Sequence, residues 1–180
     1  MSQTDEDLFL LLLIALLGFI TSFDNNMMSS SVPISTLSKN LLADMTSEEK
    51  LATVNTALLD IPSYELDPTP LSGSTLKIIY LIYKELGIDL NTILPISQAR
   101  LYRQFHKEDV DLAIKDSLIT IARLVDKGLT TFGEWSRFQE WLYGRVENLA
   151  GRRPIDLVAL QTGRYEVSQT LERIEYGLYG

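Results

Sequence analysis

The chain has no cysteine and only one histidine, His106, among its 180 residues. The first absence excludes disulfide scaffolds, thiol nucleophiles and cysteine-built zinc sites. The second leaves any serine–histidine chemistry resting on His106, for which spacing nominates no partner. His106 lies between Phe105 and Lys107, where a helix-end dipole or a phosphate contact is enough to account for it. No glycine-rich phosphate loop leads into a helix, and Asp109, Asp111 and Asp116 have the spacing of an ordinary solvated helix face. No catalytic residue, metal ligand or cofactor is expected, and the protein is not expected to be an enzyme.

The apolar run Leu8 to Ile20 is 13 residues long, against the roughly 20 that span a bilayer. Asp5, Glu6 and Asp7 precede it, where a signal peptide carries lysine or arginine, and no small-x-small cleavage site follows. Neither a membrane anchor nor secretion is expected, which leaves a cytoplasmic location. Two readings of the run stay open: a helix buried in the protein or covered by a partner, or an extension ahead of a start at Met27 or Met28.

The hydrophobic share, 46%, suffices for one core or two small ones. Charge is unevenly placed. Residues 1 to 70 carry two basic side chains against ten acidic ones, and residues 71 to 107 carry five basic against two acidic. An acidic protein with a basic middle segment has the layout expected if only that segment meets phosphates. The stretch IPSYELDPTPLSGS from Ile61 to Ser74 packs three prolines where no helix interior can form. We therefore divide the chain into an extension of unknown role, partly helical, over 1–70, a helix-turn-helix segment over 71–110 and a small helical domain over 111–180. In the extension, Leu37, Leu41, Leu51, Val54 and Leu58 suggest helix between Ser35 and Leu59, with a start signal at Thr46-Ser47-Glu48-Glu49.

Beyond residue 71 the pattern is helical throughout. Leu76 to Leu86 is apolar on most sides, which suits the centre of a core or a dimer contact, and Gly87 ends it. Asp89 can cap a short helix to Leu94, Pro95 and Ile96 make a turn, and Ser97 can cap a third helix to about His106. In that helix Leu101 and Phe105 face inward, leaving Gln98, Arg100, Arg103, Gln104 and Lys107 to solvent or DNA. Arginine suits guanine edges and phosphates and glutamine suits adenine, so these are residue types that read a major groove. A solvated basic face on a pure interaction module is the competing reading.

Leu118, Ile121, Ala122, Val125 and Leu129 draw one stripe, and Trp135, Phe138, Trp141 and Leu142 another whose aromatics pack a core. In the closing stretch Gly151 permits a turn, Pro154 starts a helix with Ile155, Leu157, Val158 and Leu160 as its apolar contacts, and Gly163 closes it. Val167, Leu171, Ile174 and Leu178 then mark the buried stripe of a last helix, with Arg173, Tyr176 and Gly180 off it.

Leu149, the Gly151 to Pro154 turn, the helix start Ile155-Asp156-Leu157 and the terminal Arg173-Ile174-Glu175 with Gly177 resemble the toxin-binding domain of the Xre/MbcA/ParS antitoxin family. Phe132-Gly133 and Trp141-Leu142 are similar to further family positions, and Leu101-Tyr102-Arg103 to the family's helix-turn-helix segment. The resemblance runs over about Leu76 to Gly180. Gly144-Arg145-Val146 stands where the family usually has a proline, and the acidic first 70 residues lie outside it. The resemblance implies an all-α antitoxin that blocks a RES-domain, NAD-consuming toxin encoded by the adjacent gene. The block would be steric, with the antitoxin's C-terminal end placed at the toxin's active-site cleft. It implies toxin contacts from Arg164, Tyr165, Arg173, Glu175, Tyr176, Tyr179 and Gly180, and operator binding by a homodimer. The rival reading is a helix-turn-helix transcription regulator with no toxin.

Overall fold

Twenty-one residues of unbroken helix, Leu112–Phe132, run through the middle of the fold and span about 30 Å at 1.5 Å per residue. This helix (α5) buries Leu118, Ile121, Ala122 and Val125 of the stripe expected from the sequence and Ile114 besides, leaves Leu129 half-buried, and ends at Gly133 in the left-handed conformation. The computed structural model describes residues 45–59 and 71–177, which fall in one compact unit. These residues form eight α-helices and one 3-10 turn with no strand, an all-α fold. The Leu8–Ile20 run, Met27, Met28, most of the proline-rich stretch, Tyr179 and Gly180 lie outside the described residues. No described helix is long and apolar enough to cross a membrane.

The first described helix, α1 (Ser47–Leu59), packs on α5 and on α2 (Gly73–Glu85). It begins in a reciprocal capping box: Thr46 Oγ1 accepts from Glu49 N at 3.2 Å, and Glu49 Oε2 accepts from Thr46 N at 2.7 Å. Leu51, Val54 and Leu58 are buried. In α2, Ser72 caps through Thr75 N, and Leu76, Ile79, Tyr80, Ile82 and Tyr83 are buried. Ile78 and Leu81 on its other flank are half-buried.

Two short helices follow, each capped as the sequence suggests. Asp89 accepts from Asn91 N at the start of α3 (Leu90–Ile93), and Ser97 accepts from Arg100 N at the start of α4 (Gln98–Gln104). Helix α4 ends at Gln104, two residues short of His106, with Phe105 as a half-buried C-cap. Lys115 ties α5 to the preceding segment: its buried ammonium lies 3.0 Å from Asp109 Oδ1, and that oxygen also accepts from Leu71 N at 2.9 Å.

Past α5, helix α6 (Trp135–Tyr143) buries Trp135, Phe138 and Leu142. Phe132, Phe138 and Trp141 form a three-ring cluster, with every pair of centroids 5.6 to 6.1 Å apart, so these aromatics serve packing. A 3-10 turn (Glu147–Leu149), α7 (Pro154–Leu157) and α8 (Gln161–Glu175) complete the fold. Helix α8 lies against α5, α7 and the 3-10 turn.

The expected Gly163 cap is corrected by the structure. Gly163 lies inside the first turn of α8, where a Cβ would sit 2.1 Å from the Leu157 carbonyl oxygen. Its job is close approach of two backbones. Leu160, expected as an apolar contact, is also corrected: it is 64% exposed just ahead of α8.

Candidate protein-binding face on the last helix

Buried positions on α8 fix which face is left over. Val167 and Leu171 are fully buried against the core. At 100° per residue the opposite side carries Tyr165, Gln169 and Tyr176, with Arg173 about 80° round from Tyr165. Tyr165 and Tyr176 are 68% and 73% exposed, on one line about 16 Å apart at helical rise. Together with Leu160 they leave large apolar surface in solvent on a helix whose other side is core. This side of α8 is the one left open to a contact.

Beside this face runs a groove of about 420 Å³ between α8 and the Asn148–Arg152 turn, with Tyr165, Glu166 and Arg173 on its helical wall. The turn wall is held rigidly. Ala150 and Gly151 both take positive φ, 56° and 69°, Gly151 N donates to Val146 O at 3.0 Å, and Val146 N donates to Arg152 O at 3.2 Å. Arg145 Nη1 adds a bond to Gly151 O at 3.2 Å.

Of the residues expected to meet a toxin, Tyr165, Arg173 and Tyr176 come together on or beside this face. Glu175 is exposed but lies about 80° round from Tyr165 in the opposite sense, so it is not part of the cluster. Arg164 is a correction. It is only 6% exposed, its Nη1 donates to Val158 O at 2.9 Å, and its Nε has no partner among the described residues. Burial lowers its pKa while Asp116 opposes that shift. Arg164 therefore ties α8 to the end of α7 and presents nothing outward. Position 164 falls within the buried arc of α8, a signal the helical spacing carries once Val167 and Leu171 are taken as core.

The terminal motif residues are mostly builders of this scaffold. Leu149 is buried, Pro154 begins α7, and Gly177 takes φ 65° after α8 while its N–H bonds Ile174 O. Lys127 of α5 pairs with Glu172 of α8, and this contact holds the Glu172 carboxyl below its ordinary range.

The basic helix α4 is arranged differently. Gln98, Arg100, Arg103 and Lys107 are exposed, but Gln104 is not: it is 3% exposed, which corrects its expected outward placement. Three residues after Leu101, it shares that side of the helix. Its Oε1 accepts from Asp111 N at 3.0 Å and its Nε2 donates to Asp111 Oδ2 at 2.9 Å. Lys107 also pairs with Asp111, and Arg100 reaches the same carboxylate at 3.5 Å. The Asp111 carboxyl is held below its usual range, chiefly by Lys107. Gln98 donates to Tyr102 Oη at 2.9 Å. Tyr102, 41% exposed and packed on Tyr80 and Phe105, is a surface residue that the sequence reading named only for its family resemblance. His106 is exposed, and no cluster of metal-binding side chains occurs among the described residues.

Residues 128–177 match the family model of the antitoxin Xre/MbcA/ParS C-terminal toxin-binding domain. No curated protein matches the chain. The matched segment runs from the last turn of α5 through α6, α7 and α8, and so contains the exposed tyrosines and the groove. Helix α4 and its basic face stand outside it.

Proposed function

We propose that this protein, whose residues 128–177 are similar to an antitoxin toxin-binding domain, is the antitoxin of a toxin–antitoxin pair. In this reading it binds a RES-type, NAD-consuming toxin encoded beside it and blocks it sterically. The observation that carries the reading is the coincidence of the matched segment with the one helix among the described residues that keeps two tyrosines and an arginine exposed over a packed inner face. Tyrosine and arginine are enriched among the contacts that dominate interface energetics, tyrosine for a large rigid surface and arginine for a fork of hydrogen-bond donors. Tyr165, Arg173 and Tyr176 would make the central contacts, and Glu175, Tyr179 and Gly180 would extend them toward the toxin's cleft. Arg164 would act only by fixing α8.

Residues 71–110 are proposed to bind the operator of the same genes as a helix-turn-helix, with a homodimer matching a two-fold site. Arg103, exposed and without an acidic partner among the described residues, would be the first side chain to meet phosphate or base.

Deleting α8 cannot test the toxin reading, because Val167 and Leu171 would leave the core with it. Surface substitution can. Coexpression of the neighbouring gene with the wild-type chain should permit growth, and the double variant Tyr165→Glu, Tyr176→Glu should remain folded by circular dichroism yet lose protection and copurification. Protection undiminished in that variant removes α8 from the toxin interface.

A further inference from the structure

We infer that the groove between α8 and the Asn148–Arg152 turn receives an acidic side chain of the partner protein; the inference rests on the toxin-binding reading above. The groove has two arginines on its walls, Arg152 and Arg173, and one carboxylate, Glu166. It is therefore locally positive on a chain whose formal net charge is −8.

The two arginines are prepared differently. Arg152 Nε donates to Leu149 O at 3.2 Å, so its guanidinium is already oriented, and its contact with Glu166 runs through one nitrogen at 3.4 Å. A single long contact between half-exposed groups is weak, and an incoming carboxylate can displace it. Arg173 is exposed and has no acidic partner among the described residues. A guanidinium fork matches a carboxylate with two parallel bonds, and Asn148 adds an amide at the rim.

The occupant is one carboxylate and not a run of phosphates. Glu166 in the wall repels a polyanion, whereas a single acid can bind Arg173 and the open side of Arg152 while Glu166 stays at the edge. Exposed Tyr165 borders the same groove and would cover the resulting pair from water, the setting in which a charged contact gains strength.

The test measures binding of the neighbouring gene's product to the full chain across a range of salt concentrations. Arg173→Glu should weaken binding at least about tenfold and flatten its salt dependence. Glu166→Gln should tighten it several-fold, because it removes the internal competitor. That opposite sign is what a merely structural role for the groove would not produce. Both residues are exposed, so both variants should fold. If Arg173→Glu binds as wild type while Tyr176→Glu does not, the toxin face stands and the acidic-side-chain inference falls. Absence of binding by the wild-type chain overturns both. Loss of duplex DNA binding in Arg173→Glu, with partner binding unchanged, assigns the groove to phosphate and overturns the inference as well.

Discussion

Helices α4 and α8 both show arginine and tyrosine to solvent, but on α4 all of those side chains except Arg103 are already occupied. Lys107, Arg100 and Gln104 converge on Asp111, and Gln98 reaches Tyr102. On α8, Tyr165, Arg173 and Tyr176 have no hydrogen-bond or ionic partner among the described residues. Residue type therefore nominates both helices as binding surfaces, while availability separates them. A phosphate approaching α4 has to compete with Asp111 for two cations and gains Arg103 outright. A protein approaching α8 meets groups that give up only water.

The largest expected effect removes the α8 side of this contrast from within. Gly163→Ala would place a methyl group 2.1 Å from the Leu157 carbonyl oxygen, backbone that cannot step aside without displacing α7 from α8. A cost of about 3 kcal/mol is expected, at the upper end for overpacking a close contact. Urea unfolding measures it, and the variant should lose partner binding in proportion to its loss of fold. Stability equal to wild type would mean that α7 and α8 sit further apart than described.

Asp111→Asn probes the α4 side. Asparagine keeps an oxygen for Gln104 but releases Lys107 and Arg100. Asp111 makes no side-chain cap bond at the start of α5, so a capping loss is not expected. Affinity for a DNA duplex should rise about fivefold at low salt, the scale of an exposed ion pair, with a steeper dependence of log affinity on log salt as more cations meet phosphates. Partner binding through α8 should not change. No salt-dependent DNA binding in either protein would remove the operator reading and leave α4 a solvated face.

The same carboxylate sets a pH dependence. Its folded-state pKa lies below the ordinary value, mainly through Lys107. Its favourable contribution is therefore complete above the unfolded-state value near about 3.9 and is lost as pH falls through the folded pKa. From neutral pH down to about 5 the Asp111 contacts should hold, and carboxyl chemical shifts should show Asp111 titrating after the ordinary aspartates. Titration with or before them would show that Lys107 is not engaged.

Much of this fold was legible because helical spacing and caps are local. The stripes of α5 and α6, the caps Asp89 and Ser97, and the turn before Pro154 follow from residues within a few positions of one another. Gly163 was not legible because its placement depends on a second element; Gln104 and Arg164 stand at spacings that mark them as inward, but the partners that let polar side chains be buried there lie on other segments. Gly163 answers to the carbonyl of Leu157, Gln104 to the N-terminus of α5, and Arg164 to Val158 at the end of α7. The convergence of Arg100 and Lys107 on Asp111 has the same origin, since it needs the bend between α4 and α5. The tyrosine face of α8 was readable as the complement of its apolar stripe, whereas the groove requires the Asn148–Arg152 turn to lie beside it.

The smallest effect tests whether that turn is only a support. Ala150 holds φ 56° beside Gly151 at 69°, and a left-handed alanine costs about 1–2 kcal/mol relative to its right-handed form. Glycine removes this penalty but loses more backbone entropy on folding, about 0.5–1 kcal/mol. Ala150→Gly should thus stabilise the protein by about 0.5–1 kcal/mol, read from the urea midpoint at unchanged slope. Ala150 is exposed, so no packing is lost. The α8 face keeps every side chain, and the groove keeps its arginines, so partner affinity should match wild type. A gain in stability with a loss of affinity would mean that the alanine methyl itself touches the partner, extending the interface from α8 across the groove to the turn.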